Sequence, residues 1–177
     1  LDVEGAFNAM AIDLVANALR GRGAHPALVA AEVRELVHQR STPCIAGRKG
    51  PTVHRHRGCR QGAPRTPALW NQMLASTMEK VVARWEARGP SVQWSTEISE
   101  HPLLIWADNF FIIASDPEEL AWRLNDLTNA VRGLRLGWST SSLEILSGDA
   151  APLAPLPRLE STGQDFHRVE KMRVLGV

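Results

Sequence analysis

The sequence predicts an α+β fold in which helices pack on one face of a small antiparallel sheet. Three observations lead there. Several stretches repeat apolar residues with the spacing of a helix face; two continuous apolar runs, residues 103–107 and 110–114, are separated only by Asp108 and Asn109; and helices and hairpins follow one another in blocks rather than alternating strand by helix. The 177 residues suit one domain of ordinary size, and 44% hydrophobic against 22% charged residues describes a chain that buries a core rather than a disordered one. No stretch approaches the roughly 20 apolar residues of a membrane span, so no membrane partner is expected.

Leu1-Asp2-Val3 reads as the end of a strand, so a longer parent chain is expected. Residues 9–19 carry Met10, Leu14, Val15, Ala18 and Leu19 on one helical face, and Gly21 and Gly23 stop that helix. Pro26 opens a second helix with Leu28, Val29, Val33, Leu36 and Val37 inward. Residues 42–46 and 52–57 form a hairpin around a longer loop at 47–51. A Gly/Pro-rich turn at 58–67 leads into a long helix with Leu69, Trp70, Met73, Leu74, Met78, Val81, Val82 and Trp85 on its apolar face, ended by Gly89-Pro90. A short strand follows at 92–95. The apolar runs around Asp108-Asn109 make a tight hairpin, since both turn residues tolerate positive φ, and their continuity predicts strands buried on both faces. Asp116-Pro117-Glu118-Glu119 carries the cap, first-turn proline and capping-box acid of a helix that runs to about Arg132. Short strands at 143–146, 166–169 and 172–177, with a Pro-rich loop at 151–157, complete the chain.

Net charge is only +1, but Arg48, Lys49, Arg55, Arg57, Arg60 and Arg65 cluster with His54 and His56, and no Asp or Glu interrupts them. Such a stripe either meets phosphates or is a solvated hairpin face. Cys44 and Cys59 are too few for a disulfide framework and read as small buried thiols. His54 and His56 lack a second pair at zinc-site spacing.

Two carboxylates carry the candidate chemistry. Asp2 ends a strand and Asp108 sits at the apex of an apolar hairpin. A carboxylate beside apolar strands is costly unless compensated, and a divalent cation compensates it with oxygen ligands. On adjacent strands the two could hold metals across a reacting phosphate. On the residues alone the alternative stays open: an exposed Asp-Asn turn and an unrelated Asp.

The order of short motifs then resembles a known family. Residues 1–8 (LDVEGAFN) resemble the first palm motif of non-LTR retrotransposon reverse transcriptases, LD-x-x-x-AFD. Residues 58–67 (GCRQGAPRTP) resemble the second, G-x-x-QG-x-P-x-SP, before a long helix. Residues 105–109 (IWADN) resemble the Y-A-D-D hairpin; residues 136–146 resemble the next motif weakly, and 173–177 (RVLGV) the closing Y-L-G-V strand. The resemblance covers nearly the whole chain. It implies a partial reverse transcriptase domain over residues 1–177, a palm with fingers and thumb outside it, that copies an RNA template onto a DNA primer from dNTPs with Mg2+ or Mn2+. It implies that Asp2, Asp108 and the carbonyl of Val3 hold metal, that Asp108 and Asn109 form the catalytic hairpin with Asp2, and that Phe7 beside Ala6 is the gate against the 2′-hydroxyl. Gln61 and Gly62 would line the nucleotide site, and Arg55, Arg57, Arg60 and Arg65 would meet nucleic-acid phosphates.

The chain departs from the pattern at four places. Asn109 stands for the second Asp of the hairpin and brings no charge; Asn8 stands for another Asp; Trp106 stands for Tyr; and the lysine of the fourth motif has no counterpart at 139–143. Since positioning supplies much of phosphoryl-transfer catalysis, a palm without fingers and thumb is expected not to polymerise alone. A decayed remnant and a nucleic-acid-binding module without chemistry remain alternatives. Copying at a chromosomal target would place the parent in the nucleus.

Overall fold

Helix-period apolar residues become helices where their faces meet a core. The computed structural model describes residues 1–88, 101–147, 158–159 and 163–171. The expected strands at 92–95 and 172–177, the helix stop at Gly89-Pro90, the loop at 151–157 and the 173–177 motif lie outside the described residues. The elements are α1 (Ala6–Ala9), α2 (Ile12–Gly21), α3 (Pro26–Val37), β1 (Arg40–Ser41), β2 (Cys44–Ile45), β3 (Arg48–Lys49), β4 (Val53–His54), α4 (Thr66–Glu86), β5 (Leu103–Trp106), β6 (Asn109–Ile112), α5 (Pro117–Gly133), a 3-10 turn (Thr140–Ser142), β7 (Glu144–Leu146), β8 (Arg158–Leu159), β9 (Gln164–Asp165) and β10 (His167–Val169). The fold is α+β, with the described strands in two-stranded pairs. Most pairs are antiparallel, but β7 and β10 run parallel, against the antiparallel expectation. Such long-range pairing leaves no local signature in the sequence.

The chain divides into two compact units, Gly5–Ser76 and Leu1–Glu4 with Thr77–Val177. In the first, the helix expected over residues 9–19 is interrupted: Met10 and Ala11 are extended. The cause lies in their carbonyl partners. Phe7 O accepts from Cys59 N at 2.7 Å and Met10 O from Gly58 N at 2.8 Å, so residues 58–59 take the place of helical donors. Gly58 is required there: its φ is +81°, and an added Cβ would lie 2.4 Å from Asn8 O. Helix α3 starts as expected, with the His25 side chain accepting from Ala27 N and Pro26 at its first turn.

The 40–54 hairpin forms, with corrections. Its turn is Ala46-Gly47, both at positive φ (49° and 76°), a type I′ turn rather than the longer loop expected. Arg40 pairs with His54 and Ser41 with Val53, then Cys44 pairs with Lys49 and Ile45 with Arg48, so the register slips by one residue at Gly50-Pro51. That is a bulge, a position a proline tolerates because it has no N–H to offer. Cys44 is exposed, not buried, whereas Cys59 is buried as expected.

In the second unit, Met78, Val81 and Trp85 of α4 are buried, as are Leu124, Leu127 and Val131 of α5. Asp116 caps the helix as expected, accepting from Glu119 N at 2.8 Å, whereas Glu119 reaches back past the cap residue to Ser115 N at 2.7 Å. The β5–β6 hairpin turns one residue earlier than expected: Trp106 pairs with Asn109, and the two turn residues are Ala107, at φ 53°, and Asp108. Burial on both faces is corrected too. Phe110 is fully buried, but Leu104, Ile105 and Trp106 are exposed, Trp106 at 61%. The cause is that β5 pairs with β6 alone among the described strands.

Candidate active site

Strand pairing brings the carboxylate residues together. Val3 N donates to Asp108 O at 3.0 Å, and Asp2 bridges Asn109 in antiparallel fashion. Residues 1–4 thus lie between the hairpin and the strand-like segment around Trp138. Val3 bridges Trp138, Glu4 N donates to Gly137 O at 2.9 Å, and Ser139 N to Asp2 O at 2.8 Å. Phe110 N donates to Leu1 O at 2.7 Å on the other side. Behind this backbone, Phe110 and Trp138 meet edge to face at 5.3 Å, and Trp138 Nε1 donates to Thr128 Oγ1 at 3.0 Å. Two buried rings and a satisfied indole thus belong to residues whose backbone pairs with Leu1 and Val3, on either side of Asp2 in the chain.

Asp2 is half-buried. Its Oδ1 is buried with no hydrogen-bond partner among the described residues. Burial raises its pKa above the ordinary 3.8, and the nearby Asp108 carboxylate raises it further. An orphaned carboxylate oxygen beside a second acid is a hard, anionic donor set, and it fits a divalent cation that keeps water or phosphate on its remaining positions. Among the described residues no group of three His, Cys, Asp or Glu could hold a metal, so protein ligands beyond the two carboxylates would come from backbone such as the carbonyl of Val3. Asn109 is exposed. Ser142 is a residue the sequence reading did not single out: its Oγ accepts from Asp2 N at 2.8 Å and donates to Ser139 O at 2.9 Å, fixing the backbone that carries the carboxylate. Only the tertiary pairing exposes that role.

The residues expected to line a nucleotide site, Ala6, Phe7, Gln61 and Gly62, lie in the other compact unit. Ala6 is buried, and Phe7 is half-buried with its ring edge on Trp70 at 5.6 Å. Gln61 and Gly62 are exposed in the turn before α4; Gly62 has φ +80° with open space where a Cβ would be. Thr66 holds this turn by donating from Oγ1 to Arg60 O at 2.8 Å.

The four arginines do not form one free cluster. Arg55 Nη1 donates to Asn8 Oδ1 at 3.2 Å and Arg57 Nη2 to Ala9 O at 2.7 Å. Arg65 sits between Glu32 and Glu35 at 3.4 and 3.1 Å. Arg60 is exposed. Three of the four therefore already hold protein groups, and Arg65 has its charge offset by two acids.

No family model matches the chain, and no curated protein sequence matches it. No helix among the described residues is long and apolar enough to cross a membrane.

Proposed function

We propose that this chain is the palm portion of an RNA-directed DNA polymerase that transfers dNTPs onto a primer over an RNA template. The motif order in the sequence raises this reading. The observation that supports it best is the pairing of Asp2 and Asp108 on adjacent backbone, with one Asp2 oxygen buried and unpartnered. Mg2+ or Mn2+ held by Asp2, Asp108 and the Val3 carbonyl would supply the charge that activates the attacking hydroxyl and stabilises the leaving oxygen. In this reading Asp2 and Asp108 orient the reacting phosphate, and Ser142 holds the strand that presents Asp2. For the other compact unit the resemblance implies a gate against the 2′-hydroxyl at Phe7, whose ring edge meets Trp70, a nucleotide approach at Gln61-Gly62 and a phosphate contact at Arg60.

A catalytically lapsed form of the same domain has its own support. Asn109 leaves the hairpin without a second acid, and the Oδ1 of Asn8, the other replaced acid, accepts from Arg55. Calorimetric titration of Mg2+ and Mn2+ into the chain, with an RNA–DNA primer–template present, separates the readings. The polymerase reading expects binding that Asp108→Ala abolishes and Asn109→Asp tightens. Equal binding by the native chain and Asp108→Ala would overturn it. Absence of binding in the native chain that Asn109→Asp restores would select the lapsed form.

A further inference from the structure

The 40–54 hairpin has a feature that the site described above does not use. Residues 40–49 and 51–54 are all exposed, so this two-stranded ribbon has no core of its own. An isolated ribbon of this kind is only marginally stable in water, which makes a covering partner the natural completion of the arm. Its charge says which kind. No Asp or Glu lies anywhere between Glu35 and Glu79. Arg40, Arg48 and Lys49 project from the ribbon, and among the described residues none of them is paired with a carboxylate. This contrasts with Arg55, Arg57 and Arg65, which are held by protein groups.

The tip adds an apolar element. Ile45, beside the Ala46-Gly47 turn and directly across from Arg48, is 79% exposed, the most open of the large apolar side chains among the described residues. A cationic two-stranded ribbon is of a size to enter the groove of a nucleic-acid duplex. An Ile at such a tip is one of the side chains that wedge between base steps when flanking cations hold the backbone. The bulge at Gly50-Pro51 increases the twist of the ribbon, as following a groove requires.

We propose that residues 40–54 are a duplex-binding arm, in which Arg48 and Lys49 contact phosphates and Ile45 wedges at a base step. The proposal rests on the reading that the chain handles nucleic acid, and it adds a contact apart from the metal-site carboxylates. An acidic polypeptide is the competing occupant, but it offers neither a groove nor a stack for Ile45 to enter.

The test uses the full chain and fluorescein-labelled 20-base-pair duplexes, one RNA–DNA hybrid and one DNA, with anisotropy followed over a salt series. Arg48→Ala/Lys49→Ala is expected to weaken binding about tenfold and to lower the salt slope by about 2, one phosphate contact per cation. Ile45→Ala is expected to keep that slope but to lose the rise in 2-aminopurine fluorescence that unstacking at the wedged step produces in the native complex. Circular dichroism checks that the variants, all changed at exposed positions, remain folded. Preference for the hybrid or for DNA identifies which duplex the arm reads. Unchanged affinity and slope in the double variant would overturn the proposal. So would displacement of the duplex by equimolar polyglutamate with no 2-aminopurine signal, which would assign the arm to acidic protein. The polymerase reading fails or stands separately. Arm-dependent duplex binding by a chain that takes no metal keeps the arm and removes the polymerase; Asp108-dependent metal binding without arm dependence does the reverse.

Discussion

The surroundings of Asp2 disfavour its charged form. Burial and the Asp108 carboxylate both raise its pKa, so the folded chain binds this proton more tightly than the unfolded chain does. Stability from this group is therefore full below about pH 4 and falls as pH rises towards and through the raised folded value. An Asp2→Asn variant lacks that loss. Without metal, the Tm difference between Asp2→Asn and the native chain is expected to shift in favour of the variant as pH is raised from 3.5 to 7. Mg2+ should raise Tm of the native chain at pH 7 and leave the variant unmoved. A Tm difference that stays constant with pH would refute this account. The two carboxylates were singled out in the sequence by the short motifs LD and AD, and the backbone pairing of residues 2–3 with 108–109 brings them to adjacent segments. Their cost and their support were not legible there: the orphaned Oδ1 and the hydroxyl of Ser142 exist only once residues 1–4 lie against the hairpin and residues 137–142.

Among the elements, α3, α4 and α5 were readable because each carries a continuous apolar face and a local start signal, Pro26, Thr66 after a Gly/Pro turn, and Asp116-Pro117. The break between α1 and α2 was not, since it depends on donors from residues 58–59. Both hairpins were found, but each turn moved, because a positive-φ alanine at 46 and 107 is a poor sequence signal beside Gly or Asp-Asn. Helix α5 also conceals a charge that its sequence does not advertise. Arg123 is 1% exposed, pairs with Glu119 at 2.8 Å, donates to Ile113 O and lies over the Trp85 and Trp122 rings. It thereby ties the helix to the residue that follows β6 and to α4 from inside. Removing one partner of a buried ion pair leaves the other uncompensated, so Arg123→Leu is expected to cost about 3 kcal/mol. Urea unfolding measures it, and a loss below about 1 kcal/mol would mean that Ser115, which also donates to Glu119, satisfies the acid alone.

At the scale of the whole molecule, the near-neutral net charge conceals a division. Residues Gly5–Ser76 hold ten Lys and Arg against three Asp and Glu, net +7, and the remaining residues ten against sixteen, net −6, which together give +1. The carboxylates proposed to bind cations and the arm proposed to bind a polyanion thus belong to units of opposite sign. The arm also bears on how copies of the chain behave towards each other. An open ribbon with bare N–H and C=O groups is a template on which another chain can add a strand. Here like charges repel a second copy, Pro43 and Pro51 offer no N–H, and the register slip at Gly50-Pro51 interrupts any long flat edge. Replacing Pro51 by Val returns an N–H donor to the edge beside exposed Ile45 and Val53, although the register slip remains. Size-exclusion chromatography of Pro51→Val is then expected to show concentration-dependent self-association that the native chain lacks, and identical elution of the two would remove the idea. A ribbon proposed to stay uncovered until a nucleic acid arrives would need such a safeguard, and its like charges, its two prolines and its register slip would together keep neighbouring molecules from zipping together.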